Sequence, residues 1–189
     1  NSFSGSHFIS NALKNGYEVV GVSRSEEINS IFLPYLWKSD NQKSKELIER
    51  NFSFYKIDLN FQLNELIQIV DSFKPTHIVN FAAQGMVAES WLDPTHWFQT
   101  NVLSQVGLHD ELRKKKFLEK YIHVTTPEVY GNTDRGWIRE DFKFSPSTPY
   151  AVSRASCDLH LKSFFDAYQF PVVFTRAANV YGPGQQLYR

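Results

Sequence analysis

The chain of 189 residues has little of several things that would have directed its reading at once. It holds one cysteine, Cys157. An internal disulfide is therefore excluded, and a reducing, cytoplasmic setting is the expectation. Neither sign of charge is in excess, since 20 Lys and Arg stand against 20 Asp and Glu. The chain thus lacks the basic excess that favours nucleic acid or an anionic membrane, and we expect neither as a partner. No apolar run approaches the roughly 20 residues that cross a bilayer. No secretory leader is visible, and this N-terminus need not be the native one. The six histidines show no ligand spacing, so no metal is expected. Internal repeats, low-complexity segments and a dividing linker are also absent. What remains is an ordinary globular composition, 42% hydrophobic and 21% charged, long enough for one domain with a sizeable core.

Periodicity predicts strands alternating with helices. Strands are expected at Tyr17 to Val22, Phe52 to Ile57, His77 to Phe81, Leu118 to Val124 and Pro171 to Thr175. Helices are expected at Gly5 to Asn15, closed by Asn15-Gly16, at Lys43 to Arg50, at Leu63 to Phe73 before Pro75, and at Pro94 to Lys116. A further amphipathic helix is expected over Ala151 to Tyr168, and Ser23 to Asn41 reads as a long loop. This order implies an α/β fold, a parallel sheet with helices on both faces. Phe52, Phe54, Phe164 and Phe165 are expected in the core, and burial is expected to account for Trp91, Trp97 and Trp137.

The chemistry concentrates in two segments. Thr126-Pro127-Glu128-Val129-Tyr130-Gly131 follows the apolar strand ending at Val124, and Tyr150-Ala151-Val152-Ser153-Arg154 opens the amphipathic helix. Four residues apart on a helix, Tyr150 and Arg154 share a face. A cation there favours the phenolate, so we expect a Tyr150 pKa below its reference of about 10, suited to a base acting on a hydroxyl.

These segments resemble the extended short-chain dehydrogenase/reductases, and within them the nucleotide-sugar 4,6-dehydratases. The likeness rests on Thr125-Thr126-Pro127-Glu128-Val129-Tyr130-Gly131, on Pro149-Tyr150-Ala151-Val152-Ser153-Arg154, and on Arg176-Ala177-Ala178-Asn179-Val180-Tyr181-Gly182-Pro183. Their order and spacing agree with the family over essentially the whole chain. The resemblance implies a Rossmann-type doubly wound sheet. Asn1 to Ile9 matches the second half of a Gly-x-x-Gly-x-x-Gly turn, with Gly5 as its third glycine and Ser2 in place of the second. We therefore expect residues 1–189 to be a fragment of the dinucleotide-binding domain. The first, central strand would then be missing, leaving a gap in the sheet, and a substrate domain would follow Arg189.

The resemblance also implies roles. Gly5, Asp58, Leu59, Ala82, Ala83, Tyr150 and Arg154 would contact a nicotinamide cofactor, along with Ser23 and Arg24 at the end of the second family strand. NAD sites usually carry an acid at Ser23's position, while a guanidinium beside hydroxyls suits a 2′-phosphate, so NADP is expected over NAD. Asp58 could instead be a helix cap, and Arg24 a solvated arginine paired with Glu26 or Glu27. Thr126 would bond the sugar 4-oxygen, Tyr150 take the 4-hydroxyl proton, and Glu128 take the C5 proton. Gln84, Ser90 and Asn179 would contact a nucleotide-sugar substrate, and Asn101 would be structural. A homodimer or higher homo-oligomer is the family's expectation.

Two departures stand out. Arg154 replaces the family lysine, and can carry charge but not relay a proton. Pro127 replaces a residue that in some relatives gives a proton to the departing 6-hydroxyl. The leading reading is a 4,6-dehydratase, a lyase. A 4-epimerase, a uronate decarboxylase and a non-catalytic nucleotide-binding relative remain as alternatives.

Overall fold

The computed structural model describes residues 1–37, 42–132 and 136–186. Within these, the chain divides into two compact units, residues 1–58 with 179–189, and residues 59–178.

The first unit begins with α1 (Phe3–Lys14), capped by Ser2, whose Oγ accepts from the Gly5 amide at 3.1 Å. Gly16, at φ +81°, ends the helix with its amide on the Leu13 carbonyl. A left-handed turn suits glycine there, as the Asn-Gly pair implies. Strand β1 (Val19–Ser23) pairs in parallel with β2 (Phe52–Lys56), Val19 opposite Phe52, and α2 (Gln42–Asn51) lies between them in sequence. The expected loop after Ser23 includes a short 3₁₀ turn, Ser30–Phe32, and its residues 38–41 lie outside the described residues. Leu13, Leu33 and Tyr35 form this unit's core.

The second unit has α3 (Leu63–Phe73), as the sequence predicts, then β3 (His77–Asn80), β4 (Lys120–Val124) and β5 (Val172–Thr175). The three strands are parallel in the order β3-β4-β5, with His77 opposite Lys120 and Tyr121 opposite Val172. Among the described residues the five strands thus form two sheets. The helix expected from Pro94 to Lys116 is made of α4 (Pro94–Phe98), a π-helical turn (Gln99–Leu103) and α5 (Ser104–Leu112). It stops short of the basic run, where Lys115 turns back to the Leu112 carbonyl and pairs with Asp71.

The long helix α6 (Pro149–Tyr168) is capped by the Thr148 hydroxyl and carries Pro149 in its first turn, where proline's missing amide costs nothing. Its buried face is not simply apolar, as amphipathicity led us to expect. Ser153, Arg154 and Asp158 are buried beside Ala151, Ala155, Cys157 and Leu161. Phe165, expected in the core, is exposed, as are Trp91 and Trp137, while Trp97 is buried and donates to the Gly85 carbonyl at 2.8 Å. Val70, Leu108, Leu112, Leu118, Tyr121, Cys157, Leu161 and Phe170 make the core.

Two histidines lie in this interior without charge. Burial holds His109 down to about 3. Burial, with Arg154, His109 and Arg176 beside it, holds His123 well below the ordinary histidine range. A histidine depressed on folding stabilises the fold above its unfolded pKa, and that stability is lost as pH falls below it. Asp158, raised to about 6 by burial, works in the opposite sense between its unfolded and folded values. The two histidines outweigh it. Unfolding free energy of the intact protein, measured by urea titration, should fall by roughly 3 kcal/mol from about pH 7.5 to about pH 5. A flat or rising profile would show that these imidazoles are not buried neutral.

Candidate active site

The second unit brings the two motif segments together. Strand β4 ends at Val124 and the chain passes through Thr125 and Thr126 into a 3₁₀ turn, Pro127–Tyr130. Thr126 caps this turn by accepting from the Glu128 amide at 3.2 Å. The Thr126 side chain also lies near enough to the Tyr150 phenol to favour its ionised form. Glu128 is exposed, and near enough to act on Tyr150 by its charge. A hydroxyl, a phenol and a carboxylate thus converge where β4 meets the start of α6.

The turn is held by Gly131, at φ +76°, where an added Cβ would lie 2.0 Å from the Ser145 carbonyl oxygen. Beyond it, Ser145 donates to the Val129 carbonyl at 3.0 Å. This brings Phe142 and Phe144 round to join Tyr130 and Phe174 about the Arg176 guanidinium, at 5.2 to 5.7 Å from its carbon.

One expectation is overturned. The Tyr150 pKa is raised from its ordinary value, because burial outweighs the pull of Arg154; Glu128 and Asp158 add to the rise. A partly buried phenolate loses more hydration than one guanidinium restores. Arg154 lies inside, on the face of α6 toward β4. It is 2% exposed, with Nη2 donating to the Val124 carbonyl and 3.4 Å from His123 Nε2.

The other expected residues fall as follows. Ala82 and Ala83 are exposed on the segment after β3. The buried Asn80 accepts from the Ala82 amide at 2.8 Å and donates to Gln105 at 2.6 Å, and Gln105 donates to the Ala82 carbonyl at 3.2 Å. Gln84 has its amide and carbonyl both bound by Asn101, at 2.7 and 3.0 Å. Asn101 sits in the π-helical turn and also reaches Ser153 on α6 at 3.0 Å. Ser90 is fully buried, donating to the Val87 carbonyl at 2.6 Å and accepting from the Tyr150 amide at 3.2 Å. Its hydroxyl therefore seats α6 and does not open outward. Leu59 packs partly buried against the core.

Gly5, Ser23, Arg24, Asp58 and Asn179 belong to the first unit. Gly5 lies in the first turn of α1, Ser23 ends β1, and Arg24 and Asn179 are exposed. Asp58 is not a helix cap, since Gln62 holds that position before α3. Glu26 pairs with Lys56 at 3.1 Å and Glu27 accepts from Tyr35 at 2.5 Å.

A dinucleotide fits what is present in each unit. The N-terminus of α1, with its cap serine and small residues, suits phosphate. The exposed Ala82-Ala83 segment lets a flat group lie on backbone that buried amides already hold.

Sequence spacing missed two groupings because their members come from different elements. Asp158 accepts from Arg176 at 3.0 Å and from Thr125 at 3.2 Å. His109, His123 and Cys157, from α5, β4 and α6, have ligand atoms within 4.8 Å of one another. A cation among them would meet the guanidinium already against His123, so this group reads as packed interior.

Asn101 holds together the Ala82–Gln84 segment and α6. Asn101→Ala removes the side-chain bonds to the Gln84 amide and carbonyl, and should cost roughly 2–4 kcal/mol of stability in denaturant melts. A loss below about 0.5 kcal/mol would mean water or repacking meets these groups equally well.

The GDP-mannose 4,6-dehydratase family matches residues 2–188. An uncharacterised protein of Schizosaccharomyces pombe is 39% identical over 154 residues, which are 75% of this chain and 42% of that protein. The dTDP-glucose 4,6-dehydratase of Xanthomonas campestris is 27% identical over 191 residues, 96% of this chain and 51% of the relative. Among solved structures, a dTDP-glucose 4,6-dehydratase from Streptomyces venezuelae with NAD bound superposes with a TM-score of 0.80. It is 26% identical, and the match covers all of this chain and 56% of that one. The chain spans about half the length, or less, of the curated relatives it matches. With the match running through nearly every residue and the Thr-x-Glu and Tyr-x-x-x-Arg segments meeting at one site, this chain belongs to the GDP-mannose 4,6-dehydratase family.

Proposed function

We propose that the intact protein is a nucleotide-sugar 4,6-dehydratase, a lyase converting a nucleoside-diphosphohexose to its 4-keto-6-deoxy form. The observation that supports this reading most is the convergence of Thr126, Glu128 and Tyr150 at the end of β4. Oxidation at C4 alone needs the hydroxyl and the phenol. Loss of water across C5 and C6 also needs a base for the C5 proton, and the exposed Glu128 carboxylate supplies one beside the phenol.

When bound, a nicotinamide dinucleotide would supply the hydride chemistry, taking a hydride from C4 and returning it to C6 once water has left so that no net redox occurs, and would bring a positive charge. The residues of the chain do the rest. The Thr126 hydroxyl bonds the sugar 4-oxygen. Tyr150 takes the proton of the 4-hydroxyl at its phenolic oxygen. Burial holds the Tyr150 proton on in the chain alone, and a further positive charge beside it lowers that hold. Once C4 is a ketone, the C5 proton is acidic and the Glu128 carboxylate removes it. Pro127 has no proton to give to the departing 6-hydroxyl. Ala82 and Ala83 leave room against the backbone. Gln84 and Asn179 are assigned to the substrate. Ser90 acts through its bond to the Tyr150 amide.

The exposed Arg24 following Ser23 supports NADP over NAD, because a guanidinium beside hydroxyls suits a 2′-phosphate. Arg24→Ala should weaken NADP binding roughly tenfold more than NAD binding, an amount typical of one charge-assisted bond. Equal weakening of both, by calorimetry, would remove the basis for this preference.

Mass spectrometry of the intact enzyme with nucleoside-diphosphohexoses tests the reaction directly, since dehydration lowers the sugar's mass by one water. Glu128→Gln should abolish that product by about 10²-fold or more while C4 oxidation continues, visible as accumulating reduced nicotinamide. Unchanged dehydration would assign the C5 proton to another group.

A further inference from the structure

Two turns of α6 carry Tyr150, Arg154 and Asp158 at intervals of four residues, so they stand along one face. Arg154 and Asp158 are both buried, and they meet at the same atom. His123 Nε2 lies 3.4 Å from Arg154 Nη2 and 3.5 Å from Asp158 Oδ1. A ring nitrogen can accept from the guanidinium or donate to the carboxylate, but not both. His123 is held neutral, so its single proton has two places. On Nε2 it serves Asp158 Oδ1, an atom with no other partner, and it opposes the guanidinium. On Nδ1 it frees the Nε2 lone pair for Arg154, and then it points at nothing, since Nδ1 also lacks a partner.

The second carboxylate oxygen is tied down independently. Asp158 Oδ2 takes the Arg176 and Thr125 donors, and Arg176 is boxed by four aromatic rings. Asp158 therefore cannot swing away from His123.

We propose that Asp158 is a positioning residue for the Tyr150 centre, acting through His123 Nε2 on Arg154 and setting the field under the phenol. With Asp158 ionised, the His123 proton sits on Nε2, the guanidinium rests on the Val124 carbonyl alone, and the negative charge opposes phenolate formation. With Asp158 neutral, the Nε2 lone pair takes the Arg154 donor, and the Arg154 guanidinium acts on the phenol without the Asp158 charge against it. This inference rests on the reading of Tyr150 as the acid–base group.

The charges facing Asp158 are Arg176 from the end of β5, Arg154 on its own helix and His123 from β4; the Cys157 thiol is its neighbour on α6. Burial raises Asp158 to about 6 against the pull of both arginines and Thr125. Its ionised charge raises Tyr150, as does that of Glu128. The sign of a substitution follows.

The test is Asp158→Asn in the intact holoenzyme, which keeps the shape and removes the charge. The acidic limb of the pH–rate profile, and the pH at which the Tyr150 phenolate band appears in the ultraviolet, should both move to lower pH by roughly one unit. The Tyr150 band is isolated by subtracting the same variant carrying Tyr150→Phe. Asp158→Ser, which removes the same charge and keeps a hydroxyl that can accept from Arg176, should give a shift in the same direction, and it replaces Asp158→Asn if that variant does not fold. A lowered rate with both curves unmoved would make Asp158 merely structural and overturn the proposal, as would a shift to higher pH. The phenolate titration needs no turnover. If it shifts while no nucleotide sugar is dehydrated, the dehydratase reading fails and this inference stands. If dehydration proceeds and the titration is unmoved, this inference alone fails.

Discussion

Charge buried on the inner face of α6 constrains most of what surrounds it. A carboxylate and a guanidinium taken out of water cost several kcal/mol each unless they are met by partners of good geometry. Asp158 and Arg154 are met by groups from β4 and from the end of β5. Thr125, Val124 and His123 are consecutive residues of one strand end, so α6 can dock there in one register only. Arg176 then needs company of its own, and Tyr130 with Phe142 and Phe144 beyond Gly131 supply it. The fold around Tyr150 meets these two buried side chains in part: Asp158 Oδ2 and Arg154 Nη2 have partners, while Asp158 Oδ1 and Arg154 Nε and Nη1 have no hydrogen-bond partner.

The same demand explains why so many polar groups near the site face inward. Ser90, Asn101 and Ser153 are fully buried, and each hydrogen-bonds a neighbouring segment. Asn101 does so from a π-helical turn, where one wider coil turns its side chain across to Gln84. Ser90 shows how a residue can matter to a site without facing it. Its hydroxyl accepts from the Tyr150 amide, one of the amides that a helix start leaves without an internal partner.

Much of this was legible in the sequence wherever the information is local. Thr126 and Glu128 are neighbours in one turn, and Tyr150 and Arg154 share a helical face by simple periodicity. The parallel α/β order followed from alternation, and Leu63–Phe73 was readable to the residue because Pro75 closes it. What failed depended on tertiary burial. The direction of the Tyr150 shift is set by how much water the fold removes, which spacing four residues from a cation does not report. Phe165 and Trp91 have apolar side chains but stand on exposed positions. The Asp158–Arg176 pair spans a helix and a strand end, and no local pattern links its members. The π-helical turn broke a helix that periodicity drew as continuous.

The exchange of lysine for Arg154 takes on a definite meaning in this setting. An ammonium is one compact charge, strongly hydrated and able to lose its proton when buried. A guanidinium is planar, less strongly hydrated and fixed in charge, so it can lie wholly inside against a backbone carbonyl and an imidazole. That is where Arg154 lies. From there it acts on Tyr150 through its field and not through a bond, and a field is graded by every other charge that shares the interior. Asp158 is such a charge, and the exposed Glu128 adds to it. The substitution thus sets a buried cation and a buried carboxylate on either side of one contested imidazole nitrogen.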